Sequence, residues 1–124
     1  MQTVLLVEDD FYIRDTYRIA IEQAGYLVVE AVDGKEAIAN FDQTKPDIVL
    51  LDIMLPEVNG IGVLQHIRAH KDKCCKTPVI ILTNMDSEET TVEAMNNGAT
   101  AFFVKLHTRP TEVAASIKNY FGNQ

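Results

Sequence analysis

The sequence predicts a doubly wound α/β domain built on a parallel sheet, and three observations lead to this prediction. Five short apolar runs alternate with five helical patterns along the 124 residues. The runs IVLL and VIIL carry no polar residue, which is typical of strands buried on both faces of a parallel sheet. Strict alternation of strands and helices indicates the doubly wound class, and right-handed crossovers leave few topologies for it.

The five strands are predicted where apolar and β-branched residues cluster between turn signals. In chain order they cover Thr3–Val7, Leu27–Ala31, Asp47–Asp52, Pro78–Thr83 and Thr100–Val104. No internal repeat, low-complexity segment or linker interrupts the pattern. We therefore expect one domain over residues 1–124 and no second domain.

Between the strands, apolar residues recur at helical spacing. In the segment FYIRDTYRIAIEQAG, Ile13, Tyr17 and Ile21 share one face, and Gly25 suits the position just after a helix end. A short second helix is predicted in DGKEAIANF, after Gly34. A third helix is predicted in GIGVLQHIRAH.

The last two helices carry signals at their ends. The segment DSEETTVEAMNNG predicts a fourth helix, with Ser87 as its N-cap and Gly98 after its last turn. The segment RPTEVAASIKNYFG predicts a fifth, with Pro110 near the first turn and Val113 and Ile117 on one apolar stripe.

Composition and charge exclude several classes of protein. The net charge of −7 argues against a nucleic-acid surface, which would need a basic face. No apolar run approaches the roughly 20 residues of a membrane-spanning helix. The start MQTVLLVEDD lacks the basic region and cleavage pattern of a signal peptide. We therefore expect no direct nucleic-acid binding, no membrane insertion and a cytoplasmic location.

The only cysteines, Cys74 and Cys75, are adjacent, which favours a reduced thiol pair over a structural disulfide. The same segment raises a second possibility. His66, His70 and Cys74 are spaced by four and could line one helix face as metal ligands. Because KDKCCKTP is typical of a helix end and loop, the sequence does not favour a metal site there.

Polar residues follow four of the five predicted strands. In open α/β sheets, ligands bind beyond the carboxyl ends of the strands, so these positions are candidates for a site. They are Glu8, Asp9 and Asp10 after the first strand, Asp52 at the end of the third, Thr83 at the end of the fourth and Lys105 after the fifth. Asp10 is expected to be a helix N-cap. Asp52 interrupts an apolar stretch, where acids rarely occur without a partner.

This set of side chains has a chemical logic. Carboxylates without histidine or cysteine suit a hard cation such as Mg²⁺, which keeps coordination sites for water and phosphate. A carboxylate can also act as a nucleophile and form an aspartyl-phosphate. A metal ion, a lysine ammonium and a threonine hydroxyl would then neutralise the phosphoryl oxygens.

Four segments together resemble a response-regulator receiver domain of two-component signalling, of the single-domain, chemotaxis-regulator-like kind. They are LLVEDD, DIVLLDIMLPEVNG, PVIILT and GATAFFVK, in this order and spacing. The resemblance covers essentially the whole chain. It implies a flavodoxin-like (βα)5 fold with strand order 2-1-3-4-5.

The resemblance also implies a role for each residue of the site. Asp52 would be the phosphoacceptor. Mg²⁺ would be held by Glu8 (partly through water), Asp9, Asp52 and the backbone carbonyl of Met54. Thr83 would bind the phosphoryl group, Lys105 would pair with that group, and Phe102 would be an aromatic switch. For Phe102, plain core packing is the alternative. The domain would be a self-phosphorylating switch and not a turnover enzyme.

The implied reaction is Mg²⁺-dependent transfer of a phosphoryl group to Asp52 from a phosphohistidine. The donor would be a histidine kinase or a histidine phosphotransfer protein. Thr83 would then move toward the phosphate and Phe102 into the space it leaves. The face formed by helix four, strand five and helix five would select a downstream protein target, and it is also where a homodimer would form.

Three features depart from the family pattern. Leu106 stands where a proline is usual, so we expect a trans Lys105–Leu106 peptide bond. Asn84 stands where the residue is usually small, and it could crowd the phosphate or hydrogen-bond to it. Met54 and Met85 flank the implied site and cannot orient a water by hydrogen bonding, which predicts slow autodephosphorylation.

Other functions stay open on the sequence alone. An unphosphorylated interaction module could keep the same fold. Leu106 and Asn84 support this alternative, whereas the intact set of Glu8, Asp9, Asp52, Thr83 and Lys105 argues against it. An aspartate-nucleophile hydrolase would usually have a second acid two residues past the nucleophile, where this chain has Met54. A flavin-binding module shares the architecture, but the acidic loop after the first strand would repel a phosphate.

Overall fold

The computed structural model describes residues 1–55, 59–84, 88–105 and 108–122. Within these ranges, five strands alternate with five helices, which confirms the predicted α/β class. The strands are β1 (Thr3–Val7), β2 (Leu27–Ala31), β3 (Ile48–Asp52), β4 (Val79–Thr83) and β5 (Ala101–Val104). The helices are α1 (Phe11–Gln23), α2 (Gly34–Thr44), α3 (Gly60–Arg68), α4 (Glu88–Asn96) and α5 (Pro110–Gly122).

The strands form one parallel sheet in the order β2-β1-β3-β4-β5. The flavodoxin-like topology expected from the resemblance is therefore confirmed. β3, β4 and β5 each begin one residue later than predicted, after Asp47, Pro78 and Thr100. All three residues still extend the ladder through backbone hydrogen bonds. Asp47 N donates to the Thr3 carbonyl at 2.9 Å, the Pro78 carbonyl accepts from Val49 N at 2.9 Å, and Thr100 N donates to the Val79 carbonyl at 2.8 Å.

Helices cover both faces of the sheet and bury an apolar layer on each. On one face, α2 and α3 contribute Phe41, Leu64 and Ile67, which are fully buried. On the other face, α1 contributes Ile21 and α5 contributes Ile117, also fully buried. Each such side chain stabilises the fold by about 1.5–3 kcal/mol. The unbroken apolar strands follow from this burial on both sides.

The helix ends agree with the sequence signals that the structure describes. Asp10 is the N-cap of α1 as predicted, because its Oδ1 accepts from Ile13 N at 3.0 Å. Gly25 and Gly98 follow α1 and α4 with φ of 101° and 97°, values that favour glycine. The predicted N-cap Ser87, the Lys105–Leu106 peptide bond and Met85 lie outside the described residues.

The start of α3 is packed tightly against the end of β3. A Cβ on Gly60 would lie 2.6 Å from Ile53 Cα and 2.9 Å from the Asp52 carbonyl oxygen, so no side chain fits there. Gly60 N donates to the Ile53 carbonyl at 3.0 Å. This contact holds the residues after β3 in place at the carboxyl edge of the sheet.

None of the described helices is long and apolar enough to cross a membrane. The cytoplasmic location and the extent of the domain over the full chain stay predictions.

Candidate functional site

The carboxyl ends of β1, β3 and β5, which lie at the same edge of the sheet, bring charged side chains together. Glu8 follows β1, Asp52 ends β3 and Lys105 follows β5. Glu8 is 1% exposed and Asp52 2% exposed, so both carboxyls are removed from water. Buried carboxyls are costly unless a partner compensates their charge. The stability of this pocket therefore requires a positive charge beside the two carboxyls.

Lys105 supplies that positive charge. Its Nζ lies 2.8 Å from Asp52 Oδ2 and 2.8 Å from Glu8 Oε2. Burial alone would lower the pKa of Lys105, but its contacts with Asp52 and Glu8 hold it above the usual value. One ammonium is thus shared by two carboxyls, which leaves an excess of negative charge in the pocket.

Glu8 titrates unusually as a consequence. Burial and, to a smaller extent, the charge of Asp52 raise the pKa of its carboxyl to about 7, against the opposing effect of the Lys105 ammonium. Arg14 stabilises the backbone at Glu8. Its guanidinium donates to the backbone carbonyl oxygen of Glu8 at 2.9 Å. The sequence interpretation missed Arg14, because nothing in its spacing relates it to Glu8.

Asp52 is held by donors on both of its carboxylate oxygens. Lys105 donates to Oδ2, and the backbone N–H of Met54 donates to Oδ1 at 3.0 Å. The Met54 side chain is 54% exposed and borders an open cleft, the acidic cleft, which Glu8, Asp9, Asp52 and Lys105 also line. The expected metal contact of the Met54 carbonyl stays a prediction.

The carboxylates of Glu8, Asp9 and Asp52 offer ligand oxygens that all lie within 4.8 Å of one another. Glu8 Oε2 is buried, and the Lys105 ammonium at 2.8 Å is the close partner that the structure gives it. Because this ammonium is shared with Asp52, the carboxylates can accommodate a further cation. An all-oxygen donor set beside a cleft of about 290 Å³ fits Mg²⁺.

Thr83 lies at the end of β4, and its hydroxyl is engaged with α4. Its Oγ1 donates to the Asn84 carbonyl at 3.1 Å and lies 2.9 Å from Thr91 Oγ1. The side chain of Asn84 is exposed and borders the acidic cleft. Thr91 is a residue that the sequence interpretation missed, because it lies on a different element with no motif to mark it.

Phe102 on β5 is 48% exposed, so plain core packing does not describe it. It borders a cavity of about 360 Å³ between α4 and β5. Thr83 and Thr91 border the same cavity, together with Val92, Met95 and Val104. Thr83 and Phe102, the two residues expected to form a switch, therefore line the same cavity.

Comparison with known proteins agrees with this geometry. The sequence model of the response regulator receiver domain matches residues 4–118. The chain belongs to the receiver domain family of two-component response regulators. This is a family of signalling switches, which confirms the resemblance stated from the sequence. The chemotaxis response regulator CheY4 of Vibrio cholerae has the same fold, with a TM-score of 0.86, 29% identity and coverage of 96% of this chain and 98% of that one.

Curated relatives of this receiver domain include longer proteins. It is 38% identical over 94% of its length to a probable transcriptional regulator, ycf27, of Guillardia theta, covering 44% of that protein. It is 35% identical over 93% of its length to the alkaline phosphatase synthesis transcriptional regulatory protein PhoP of Bacillus subtilis, covering 46% of it. The chain thus spans about half the length of these relatives. The expected absence of nucleic-acid binding stays a prediction.

Proposed function

We propose that this receiver domain accepts a phosphoryl group on Asp52 in a Mg²⁺-dependent reaction. The observation that carries the proposal is the setting of Asp52. Its buried carboxylate is oriented by Lys105 Nζ at 2.8 Å and by Met54 N at 3.0 Å, next to two further acids at the edge of an open cleft. A carboxylate held in a fixed orientation beside an open cleft can act as a nucleophile toward a phosphoryl group that enters the cleft.

In the transfer, an Asp52 oxygen forms a bond to phosphorus while the bond from phosphorus to the donor's imidazole nitrogen breaks. The electron pair of that bond stays on the imidazole, and the product is an aspartyl-phosphate. Mg²⁺ held by Glu8, Asp9 and Asp52 would supply positive charge to the phosphoryl oxygens. Lys105 is close enough to pair with the same group, and the Met54 N–H keeps the carboxylate oriented.

The switch would begin at Thr83. Its hydroxyl would leave Thr91 for a phosphoryl oxygen, and α4 would lose a contact that holds it to the sheet. Phe102 could then turn from its exposed position into the cavity that it shares with Thr83. A downstream protein would recognise the altered surface of α4, β5 and α5. The same surface is the candidate for a homodimer.

The phosphoryl donor would be a phosphohistidine, on either a histidine kinase or a histidine phosphotransfer protein. The open cleft beside Asp52 would admit such a side chain. Small donors such as acetyl phosphate carry the same transferable group and therefore test the chemistry without a known partner.

The experiment is incubation with acetyl phosphate and Mg²⁺, followed by intact mass measurement. We expect the mass of one phosphoryl group, absent with a chelator and absent in Asp52→Asn. Asp15→Asn is the matched control, because Asp15 lies on α1 and pairs with Arg18, away from the cleft. Failure with both acetyl phosphate and a phosphorylated histidine phosphotransfer protein would overturn the proposal and favour an interaction module that works without phosphorylation.

A further inference from the structure

A second group of metal-ligating side chains lies between α2 and α3, away from the acidic cleft. Asp42 is on α2, His66 is on α3, and His70 follows the end of α3. His66 Nε2 lies 2.8 Å from Asp42 Oδ1, and His70 Nε2 lies 3.0 Å from the same oxygen. One ligand atom from each residue falls within 4.8 Å of those of the others. The Nε2 atoms of two imidazoles therefore lie next to one carboxylate oxygen, Asp42 Oδ1.

The fold produces this convergence and holds it. His66 and His70 are four residues apart, so both point to the same side of the α3 end. The His70 ring packs against Phe41, with centroids 5.2 Å apart, and against the His66 ring at 5.3 Å. Phe41 is fully buried on α2, directly before Asp42. The ring of His70 is thus oriented by the apolar core while its Nε2 faces the carboxylate.

We propose that Asp42, His66 and His70 form a binding site for a divalent transition-metal ion of the Zn²⁺ class. Imidazole nitrogen is a preferred ligand of Zn²⁺, and two histidines with one carboxylate are a known three-ligand set for it. The three side chains are only partly buried, so a water can complete a tetrahedral shell. The proposal does not rest on the function assigned to Asp52.

The surroundings of His70 support metal binding. Its second ring nitrogen, Nδ1, lies 3.9 Å from Asp72 Oδ1. This distance is longer than a hydrogen bond, so the Asp72 carboxylate favours a cation at His70 through its negative charge.

The site is chemically distinct from the acidic cleft. The cleft offers only carboxylate oxygens, which suit Mg²⁺, whereas the α2–α3 site offers two nitrogens, which Mg²⁺ binds poorly. The two sites also lie toward opposite ends of α3, since Gly60 at its start contacts the Asp52 backbone. Excess Mg²⁺ should therefore occupy the cleft without competing at the histidines.

The sequence pattern indicated only part of this site. Spacing by four related His66 and His70 but suggested Cys74 as the third ligand. The structure instead brings in Asp42 from another helix, a long-range contact that spacing cannot predict. The Cys74 side chain lies outside the described side chains, and the proposed site does not include it.

The test is equilibrium dialysis of the reduced full chain against Zn²⁺ in excess Mg²⁺, with elemental analysis. We expect one Zn²⁺ per chain, with no stoichiometric binding in His66→Gln or His70→Gln and weaker binding in Asp42→Asn. The matched controls are His107→Gln, which removes the chain's remaining histidine, and a double Cys74→Ser, Cys75→Ser variant; both should bind like the wild type.

Nitrogen NMR of the wild-type histidines provides a readout that does not depend on any variant folding. Zn²⁺ should move the Nε2 resonances of His66 and His70 and leave those of His107 unchanged. The proposal is overturned by absence of binding in the wild type or by full binding in either histidine variant or in Asp42→Asn. It is equally overturned by loss of binding in the His107 or serine control, or by unchanged Nε2 resonances.

Discussion

The hydroxyl oxygens of Thr83 and Thr91 lie 2.9 Å apart, and both side chains are buried. Because Thr83 donates its own proton to the Asn84 carbonyl, Thr91 is the donor in this pair. In the proposed switch, Thr83 would give up both hydrogen bonds to reach a phosphoryl group on Asp52. The position that Thr83 has in the structure is thus held by a side chain of α4.

Thr91→Val should make the switch easier to operate. The variant removes the hydrogen bond between Thr91 and Thr83, worth about 1 kcal/mol, which holds Thr83 in its present position. The rate of phosphorylation by acetyl phosphate should rise by up to about fivefold. Thr90→Val, one residue earlier on α4, is the matched control. Equal rates in the wild type and both variants would show that the Thr83–Thr91 contact does not restrain the switch.

Lys105→Met should destabilise the metal-free protein strongly. It leaves the buried carboxyls of Glu8 and Asp52 without their shared ammonium, and loss of one partner from a buried ion pair typically costs about 3–5 kcal/mol. Urea unfolding at neutral pH measures the change. Lys118→Met, at an exposed position on α5, should change stability little. A loss no larger than in that control would contradict the shared-ammonium interpretation.

Asp52→Asn should have the opposite effect and stabilise the metal-free protein. It removes one of two negative charges that compete for Lys105, so Glu8 and Lys105 remain as a balanced pair. Mg²⁺ should raise the Tm of the wild type, because it binds the folded state. At a Mg²⁺ concentration one hundred times the Kd, this binding adds about 3 kcal/mol to the free energy of unfolding. Mg²⁺ should raise the Tm of Asp52→Asn much less. Thermal unfolding with and without Mg²⁺ tests both statements, and an unchanged Tm in every case would mean that the pocket is not strained by like charges.

The parts of this architecture that local patterns determine could be predicted from the sequence. Strand burial on both faces gave the parallel sheet, and parallel strands necessarily place Glu8, Asp52 and Lys105 at one edge. Thr91 and Asp42 could not be predicted, because each meets its partner through helix packing between elements distant in sequence. The exposure of Phe102 could not be predicted either, since an aromatic residue on a strand is equally compatible with packing in the core.

Stability should depend on pH through Glu8 in the metal-free protein. The folded state keeps the Glu8 proton up to pH about 7, whereas the unfolded chain loses it near the ordinary value of 4.5. Between these values the folded state binds more protons, so its free energy of unfolding falls as pH rises, by up to about 3 kcal/mol. Urea unfolding in a chelator should show this fall in the wild type but not in Glu8→Gln. Parallel profiles for the two proteins would contradict the raised pKa.

Loss of phosphate from Asp52 should be slow because of Met54. Its side chain is 54% exposed beside the cleft, where a polar residue could orient the attacking water and a thioether cannot. Met54→Asn should speed dephosphorylation by roughly tenfold, equivalent to about 1.4 kcal/mol, because its amide can hydrogen-bond that water. Met54→Leu, similar in size and without a polar group, should retain the wild-type rate. The measurement is the rate at which the phosphorylated protein disappears, followed by intact mass after removal of the donor. Loss of phosphate from the wild type within seconds would contradict the prediction. Equal rates for the asparagine and leucine variants would contradict it as well.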